Sequence, residues 1–179
     1  SDLVTGVQTC ALPICVDPDL DAIRAAPSKG EGARLTWIGH ASWLVQLDGL
    51  SLLIDPVFRD SIGPGVSRNV PPGIAVQSLP AIDAQLVTHN HRDHLDVPSL
   101  REVNRPVIAG TGHSDFFRRV GLGCSELGWW ESTSIGDVTI SFVPSQHWSR
   151  RGLSDTNETL WGGFVIQGSS AVVYHSGDT

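Results

Sequence analysis

The stretch Thr88-His89-Asn90-His91-Arg92-Asp93-His94-Leu95-Asp96 places three histidines and an aspartate in the pattern His-x-His-x-Asp-His. Imidazole nitrogens and carboxylate oxygens are the donors that suit zinc and similar divalent metals. The residues before it, Ala84 to Thr88, read as a short buried strand. If the extended backbone runs on by two residues, His89 and His91 point to the same side. The chain must then turn, and Asp93 and His94 project from that turn. Two donor pairs at one strand end point to two metals. The competing reading is a polar loop of solvated histidines, and four donors so closely spaced make it the weaker one.

Further donors follow later strands. Val138 to Val143 reads as a buried strand and runs directly into Pro144-Ser145-Gln146-His147-Trp148, so His147 is a candidate for the next ligand. Asp178 is delivered by the strand Ala171 to Tyr174. The apolar run Leu52-Leu53-Ile54 ends in Asp55-Pro56, which puts a carboxylate at a strand tip. Asp55 fits a partner that orients a metal ligand, and it equally fits a turn-starting aspartate before proline. His40, in the Gly39-His40-Ala41 break, fits a loop histidine near the site that partners a metal ligand, and equally a satisfied structural histidine. Arg150 and Arg151 form a local cationic pair in an acidic chain. Guanidinium groups bind phosphate well, so the pair could hold an anionic substrate; the alternative is a solvated loop.

The elements that must position these groups are legible in outline. Asp17 to Ala26 fits a short helix. Leu35 to Ile38, Ser42 to Leu47 and Leu50 to Ile54 read as strands, with Asp48-Gly49 as a hairpin turn between the last two. Residues Val57 to Pro80 form a long Pro-, Gly- and Ser-rich segment, expected to wall one side of the substrate site. Val97 to Val103 reads as a helix capped by Asp96, with Pro98 in its first turn. Pro106 to Ala109 is a strand and Ser114 to Val120 a helix, with His113 as a capping or surface residue. Glu126 to Glu131 and Leu160 to Ile166 are further strands.

Composition bounds the function. The 179 residues fit one domain or most of one, with 40% hydrophobic residues. A net charge of -7 argues against a general nucleic-acid surface. Cys10, Cys15 and Cys124 make neither a disulfide framework nor a cysteine zinc site. No transmembrane segment or signal peptide is read, so a cytoplasmic or peripheral-membrane setting is expected. Val4 to Ile14 resembles a translated sequencing adapter. Residues 1–15 are therefore expected to be an artefact, 16–33 a linker or N-terminal extension, and 34–179 a domain whose C-terminal part is missing.

From about Leu35 to Thr179 the chain resembles a metallo-β-lactamase-fold hydrolase. Within that superfamily it resembles the N-acyl-phosphatidylethanolamine phospholipase D branch, which neighbours the ascorbate-6-phosphate lactonases. The residues that carry this are Thr36 to Ala41, Ile54-Asp55-Pro56, Leu79 to Asp83, Thr88 to Asp96, Trp129-Trp130-Glu131, Pro144 to Trp148, Leu160-Trp161-Gly162 and Gly177-Asp178-Thr179. The resemblance implies an α/β fold, the αβ/βα sandwich, incomplete here, with a dinuclear zinc site on one edge. It implies that His89, His91 and His147 hold one metal, that Asp93 and His94 hold the other, and that Asp178 bridges them. One further histidine of the family pattern would lie beyond Thr179. Zinc brings the pKa of bound water to about 7, so a hydroxide held by the two ions would be available near neutral pH, with Asp93 orienting it. The expected substrate is a phosphodiester in a phospholipid or small molecule. A phosphorylated sugar lactone is the alternative, and a non-catalytic fragment of such an enzyme a further one.

Overall fold

The computed structural model describes residues 18–63 and 65–179; the adapter-like residues 1–15 lie outside that range. Three antiparallel strands open the fold: β1 (Ala33–Gly39), β2 (Ser42–Leu47) and β3 (Leu50–Ile54). A small hairpin follows, β4 (Ser61–Gly63) with β5 (Val66–Ser67). Next come β6 (Ala84–Val87), β7 (Val107–Gly110) and β8 (Cys124–Leu127), which extend the first sheet in parallel to give the order β1-β2-β3-β6-β7-β8. The second sheet is antiparallel, built from β9 (Ser132–Ile135), β10 (Val138–Val143), β11 (Gly163–Gln167) and β12 (Val172–His175), in the order β12-β11-β10-β9.

Strand alternation explains how the layers stack. On the inner face of the first sheet, Val45, Leu47, Leu52, Ile54, Leu86 and Ile108 meet Val138, Ile140, Phe142, Phe164 and Ile166 of the second in one core. Phe142 and Phe164 meet at 5.2 Å between ring centres. Each such fully buried side chain is worth about 1.5–3 kcal/mol. The opposite face of the first sheet is covered by helices. Val87, Val107 and Ala109 pack on Leu100 of α2 (Val97–Val103) and Phe117 of α3 (Ser114–Arg119). Ile38, Leu44 and Leu53 pack on Ile23 of α1 (Leu20–Arg24), and on Ile74 and Ile82.

Local chemistry sets the helix ends as expected. The Asp96 carboxylate accepts from the Ser99 N–H at 3.1 Å, Pro98 sits in the first turn, and Asn104 closes α2 at φ 51°. Asp19 caps α1 in the same way. The short helix expected within Asp17 to Ala26 is α1, and it packs on the sheet. Gln46 Nε2 donates to the Ile23 carbonyl at 2.8 Å, and Arg34 donates to Ala22 and Ala25. The long 57–80 segment is also tied down: Phe58 N–H bonds Ser99 Oγ at 2.8 Å, Gly73 N–H bonds the Ile38 carbonyl at 2.7 Å, and Val57 and Ile74 are buried.

Two expectations about the elements need correction. Glu126 to Glu131 is not one strand: β8 ends at Leu127, and the chain crosses to the second sheet through Gly128 to Glu131 before β9 begins. Trp130 makes that crossing in the left-handed region, at φ 72°. His113 holds the N-cap position of α3, its carbonyl accepting from the Phe117 N–H at 3.0 Å, but its side chain neither caps the helix nor lies on the surface. It is 1% exposed, makes no side-chain cap bond, and donates from Nδ1 to the Gly110 carbonyl at 2.7 Å.

Candidate metal centre

β1, β3 and β6 run in one direction through the first sheet, and β10 and β12 share a direction in the second. The C-terminal ends of these five strands meet at one edge of the sandwich. They deliver His40, Asp55, the 89–94 segment, His147 and Asp178. The edge is pinned by Gly162 N–H on the Thr88 carbonyl at 3.1 Å. Gly177, at φ 63°, lies against Thr88 and the Gly162 carbonyl, where a Cβ would collide. After His91 the chain turns through Leu95 N–H on the His91 carbonyl at 2.8 Å, and that turn faces Asp93 and His94 into the site.

Two donor groups result: His89, His91, His147 and Asp178 in one, and His40, Asp93 and His94 in the other. In the first, His89 Nε2 lies 2.9 Å from His91 Nδ1, which lies 3.2 Å from His147 Nε2. Ligand nitrogens of a tetrahedral zinc, at 2.0–2.1 Å from the ion, are separated by about 3.3 Å. The three nitrogens therefore fit a zinc-sized centre. In the second group, His40 Nε2 is 2.8 Å and His94 Nε2 3.8 Å from Asp93 Oδ2. Asp178 joins the groups, with Oδ1 3.2 Å from His94 Nε2 and Oδ2 3.7 Å from His147 Nε2.

Asp55 governs which nitrogens face inward. It is fully buried and sits at φ 43°, a backbone strain typical of functional positions. Its Oδ1 accepts the Thr88 N–H at 2.8 Å, and its Oδ2 accepts the Thr88 hydroxyl at 2.6 Å and His94 Nδ1 at 2.8 Å. Because that hydroxyl proton goes to Asp55, Thr88 Oγ1 can only accept from His89 Nδ1, 2.9 Å away. One carboxylate thus leaves the Nε2 atoms of both His89 and His94 turned to the site. A histidine that donates its other ring N–H to a carboxylate is the usual arrangement in metal centres.

The electrostatics follow from burial and these partners. Burial, with His94 nearby, pushes His89 down to about 3, so its imidazole is neutral at pH 7. His91 is lowered by burial and by His147. Burial also disfavours charge on His94, but the Asp55 and Asp178 carboxylates outweigh it and push His94 up to about 10. The hydrogen bond from His94 holds Asp178 well below the usual carboxylate range. Burial works to raise Asp55, and the charge and hydrogen bond of His94 overcome it, leaving a net downward shift.

The tryptophan elements brace the His147 loop. Trp129 Nε1 donates to the Trp161 carbonyl at 2.7 Å, Trp161 Nε1 donates to the Ser145 carbonyl at 3.2 Å, and Trp148 stands edge-on to His91 at 4.4 Å. The two arginines both bond backbone carbonyls. Arg150 folds back on the Gly152 and Leu153 carbonyls. Arg151 donates from Nη1 to the carbonyls of Asn90 and Leu95 at 3.2 and 2.9 Å, and its guanidinium lies 5.0 Å over the Phe116 ring. It straps the 89–94 segment to α3. Arg151→Ala is expected to lower unfolding stability by about 2 kcal/mol in a urea melt, through two charge-assisted bonds and a cation–π contact. Arg151→Lys, unable to span both carbonyls, should recover less than half of that loss.

A site of this build, at the edge of a two-sheet sandwich backed by helices, defines a metallo-β-lactamase-fold domain. The beta-lactamase superfamily domain model matches residues 51–179, and the chain belongs to that superfamily. Among curated proteins, the N-acyl-phosphatidylethanolamine-hydrolyzing phospholipase D 1 of Caenorhabditis elegans is 34% identical over 167 residues, covering 83% of this chain and 47% of that protein. The mitochondrial N-acyl-phosphatidylethanolamine-hydrolyzing phospholipase D of Saccharomyces cerevisiae is 33% identical over 198 residues, covering 98% of this chain and 42% of that protein. The chain thus spans less than half the length of these relatives. Among solved structures, the metallo hydrolase Igni18 of Ignicoccus hospitalis shares the fold, with a TM-score of 0.61 at 20% identity, over 82% of this chain and 61% of its own.

Proposed function

We propose that this chain carries the metal-binding core of a two-zinc phosphodiesterase acting on N-acyl-phosphatidylethanolamine-type phospholipids. The observation that carries the two-metal reading is Asp178, whose two oxygens face different donor groups at 3.2 and 3.7 Å. The relatives from C. elegans and yeast support the phosphodiester. A cleft of about 500 Å³ beside the site supports an amphiphilic substrate. It is lined by Leu35, Trp43, Val173 and Tyr174 and reaches His40 and Asp178, with Leu35 and Tyr174 exposed. An acyl chain fits such a surface, and the exposed pair suits peripheral contact with a membrane. No helix among the described residues is long and apolar enough to cross one.

Bound zinc would lower the pKa of water and neutralise charge on a phosphoryl oxygen. His89, His91 and His147 would hold one ion, Asp93 and His94 the other, with Asp178 between them. Asp93, bonded by His40 at 2.8 Å, would orient the attacking water. Water then adds across the P–O bond: its oxygen joins phosphorus, and the leaving alcohol departs with a proton. The products are phosphatidic acid and an N-acylethanolamine.

The test is to load the protein with zinc, measure the metal by mass spectrometry, and supply N-acyl-phosphatidylethanolamine beside a phosphorylated sugar lactone. Release of phosphatidic acid is the expected result. Hydrolysis of the lactone alone would transfer the assignment to lactonase chemistry. Zinc-loaded protein inert toward both substrates would leave a metal-binding domain without this activity.

A further inference from the structure

Beside the donor groups, three arginines from separate parts of the chain line one small pocket. Its volume is about 190 Å³, and it is lined by Arg59, Ser61, Gly63, Arg92, Asp96 and Arg151. No apolar side chain lines it. Among the described residues, none of the three guanidiniums is in a salt bridge with a carboxylate. Arg92 makes one long contact, from Nη2 to the Arg151 carbonyl at 3.4 Å. Arg151 uses Nη1 on the Asn90 and Leu95 carbonyls, and no bond from its Nε or Nη2 is among those of the described residues. The one acid in the lining, Asp96, spends Oδ2 on the N–H and the hydroxyl of Ser99, and its charge offsets part of the strain on Arg151. Asp60 is adjacent to Arg59 in the chain, and its charge acts on Arg68.

Within this small space Arg92 and Arg151 repel one another, and Arg151 is half-buried. Burial disfavours its charge and Arg92 adds to that effect; Asp96 and Asp155 offset only part of it, leaving a net downward shift. An acidic chain, at -7 overall, has no general need for such a concentration of positive charge. A bound anion would relieve it, and forked guanidinium donors match the oxygen geometry of a phosphate group.

We infer that Arg59, Arg92 and Arg151 form a phosphate-binding pocket beside the metal loop. The pocket needs no metal ligand and stands independently of the reading of the metal centre. Its ligand is a phosphate group, either free or carried on a phospholipid head. The hairpin β4-β5, through Arg59, Ser61 and Gly63, supplies one wall, and Arg92 links it directly to the chain between His91 and Asp93.

The experiment compares wild type with the double variant Arg59→Ala/Arg92→Ala, which leaves the Arg151 strap in place. Both proteins are matched for measured metal content and for thermal melting. One arm titrates inorganic phosphate by calorimetry at low salt. The other sediments the proteins with phosphatidylcholine vesicles, with or without phosphatidic acid. Phosphate binding weakened about tenfold or more in the variant supports the pocket and makes its ligand a small anion. Loss of binding to the phosphatidic acid vesicles alone supports it and makes the ligand a lipid head. Indistinguishable behaviour of the two proteins in both arms overturns it.

Discussion

On the two-zinc reading, replacing Asp178 with alanine is expected to cut bound zinc from two ions per complete chain to one or fewer and to reduce hydrolysis by at least about 10³-fold. The size follows from its position between the donor groups. Its Oδ1 faces His94 at 3.2 Å and its Oδ2 faces His147 at 3.7 Å, so one truncation removes a donor from both. A ligand belonging to one centre alone would spare the other. Asp178→Asn keeps the shape but loses the charge and replaces one oxygen with a non-ligating nitrogen. It should retain one ion more often than the alanine variant, yet remain nearly as inactive. Metal analysis with turnover of the phosphodiester checks both. An Asp178→Ala protein that still held two ions and turned over normally would remove Asp178 from the centre and leave the two-metal reading without its main support.

Some of this arrangement is legible in the sequence, and the limits have physical causes. The His-x-His-x-Asp-His segment follows from local spacing, because a strand end fixes where the next few side chains point. His147 and Asp178 are findable as strand-tip donors, but only the fold shows that β10 and β12 end at the same edge as β6. The crossing at Gly128 to Glu131 is hidden because alternation does not say which sheet a strand joins. It depends on Trp130 adopting φ 72° and on the Gly128 N–H bonding Glu131 Oε2 at 2.7 Å. His40 could be read as a partner of the site or as a structural histidine, with nothing in the sequence to say which ligand it meets. Its approach to Asp93 relies on its own φ of 52° and on Trp37 Nε1, which holds the His40 carbonyl at 2.9 Å. The arginines show the limit most clearly. Adjacent Arg150 and Arg151 look like a pair in sequence, yet Arg151 shares a pocket with Arg59 and Arg92, brought there by the hairpin and the metal loop.

The second large effect is expected at a residue that touches no metal. Asp55→Asn should weaken zinc binding by about 10- to 100-fold and destabilise the protein by about 3 kcal/mol. Asp55 is 0% exposed and accepts three hydrogen bonds, two from Thr88 and one from His94. An asparagine can accept from the Thr88 N–H, but its amide would then point N–H groups at the Thr88 hydroxyl and at His94 Nδ1. Thr88 loses the acceptor that fixed its proton, so His89 loses the partner that fixed its tautomer. His94 loses the carboxylate that keeps it charged while buried. The pH dependence separates this from a general packing defect. His94 is raised from 6.5 to about 10 in the folded protein, burial opposing the two carboxylates. The stabilisation it contributes is therefore fully present below pH 6.5 and is lost as the pH rises through about 10. Urea melts of metal-free protein across that window should show stability falling with pH in the wild type and a flatter profile in Asp55→Asn. Parallel profiles offset by a constant would show that Asp55 contributes packing and hydrogen bonds without setting the charge on His94.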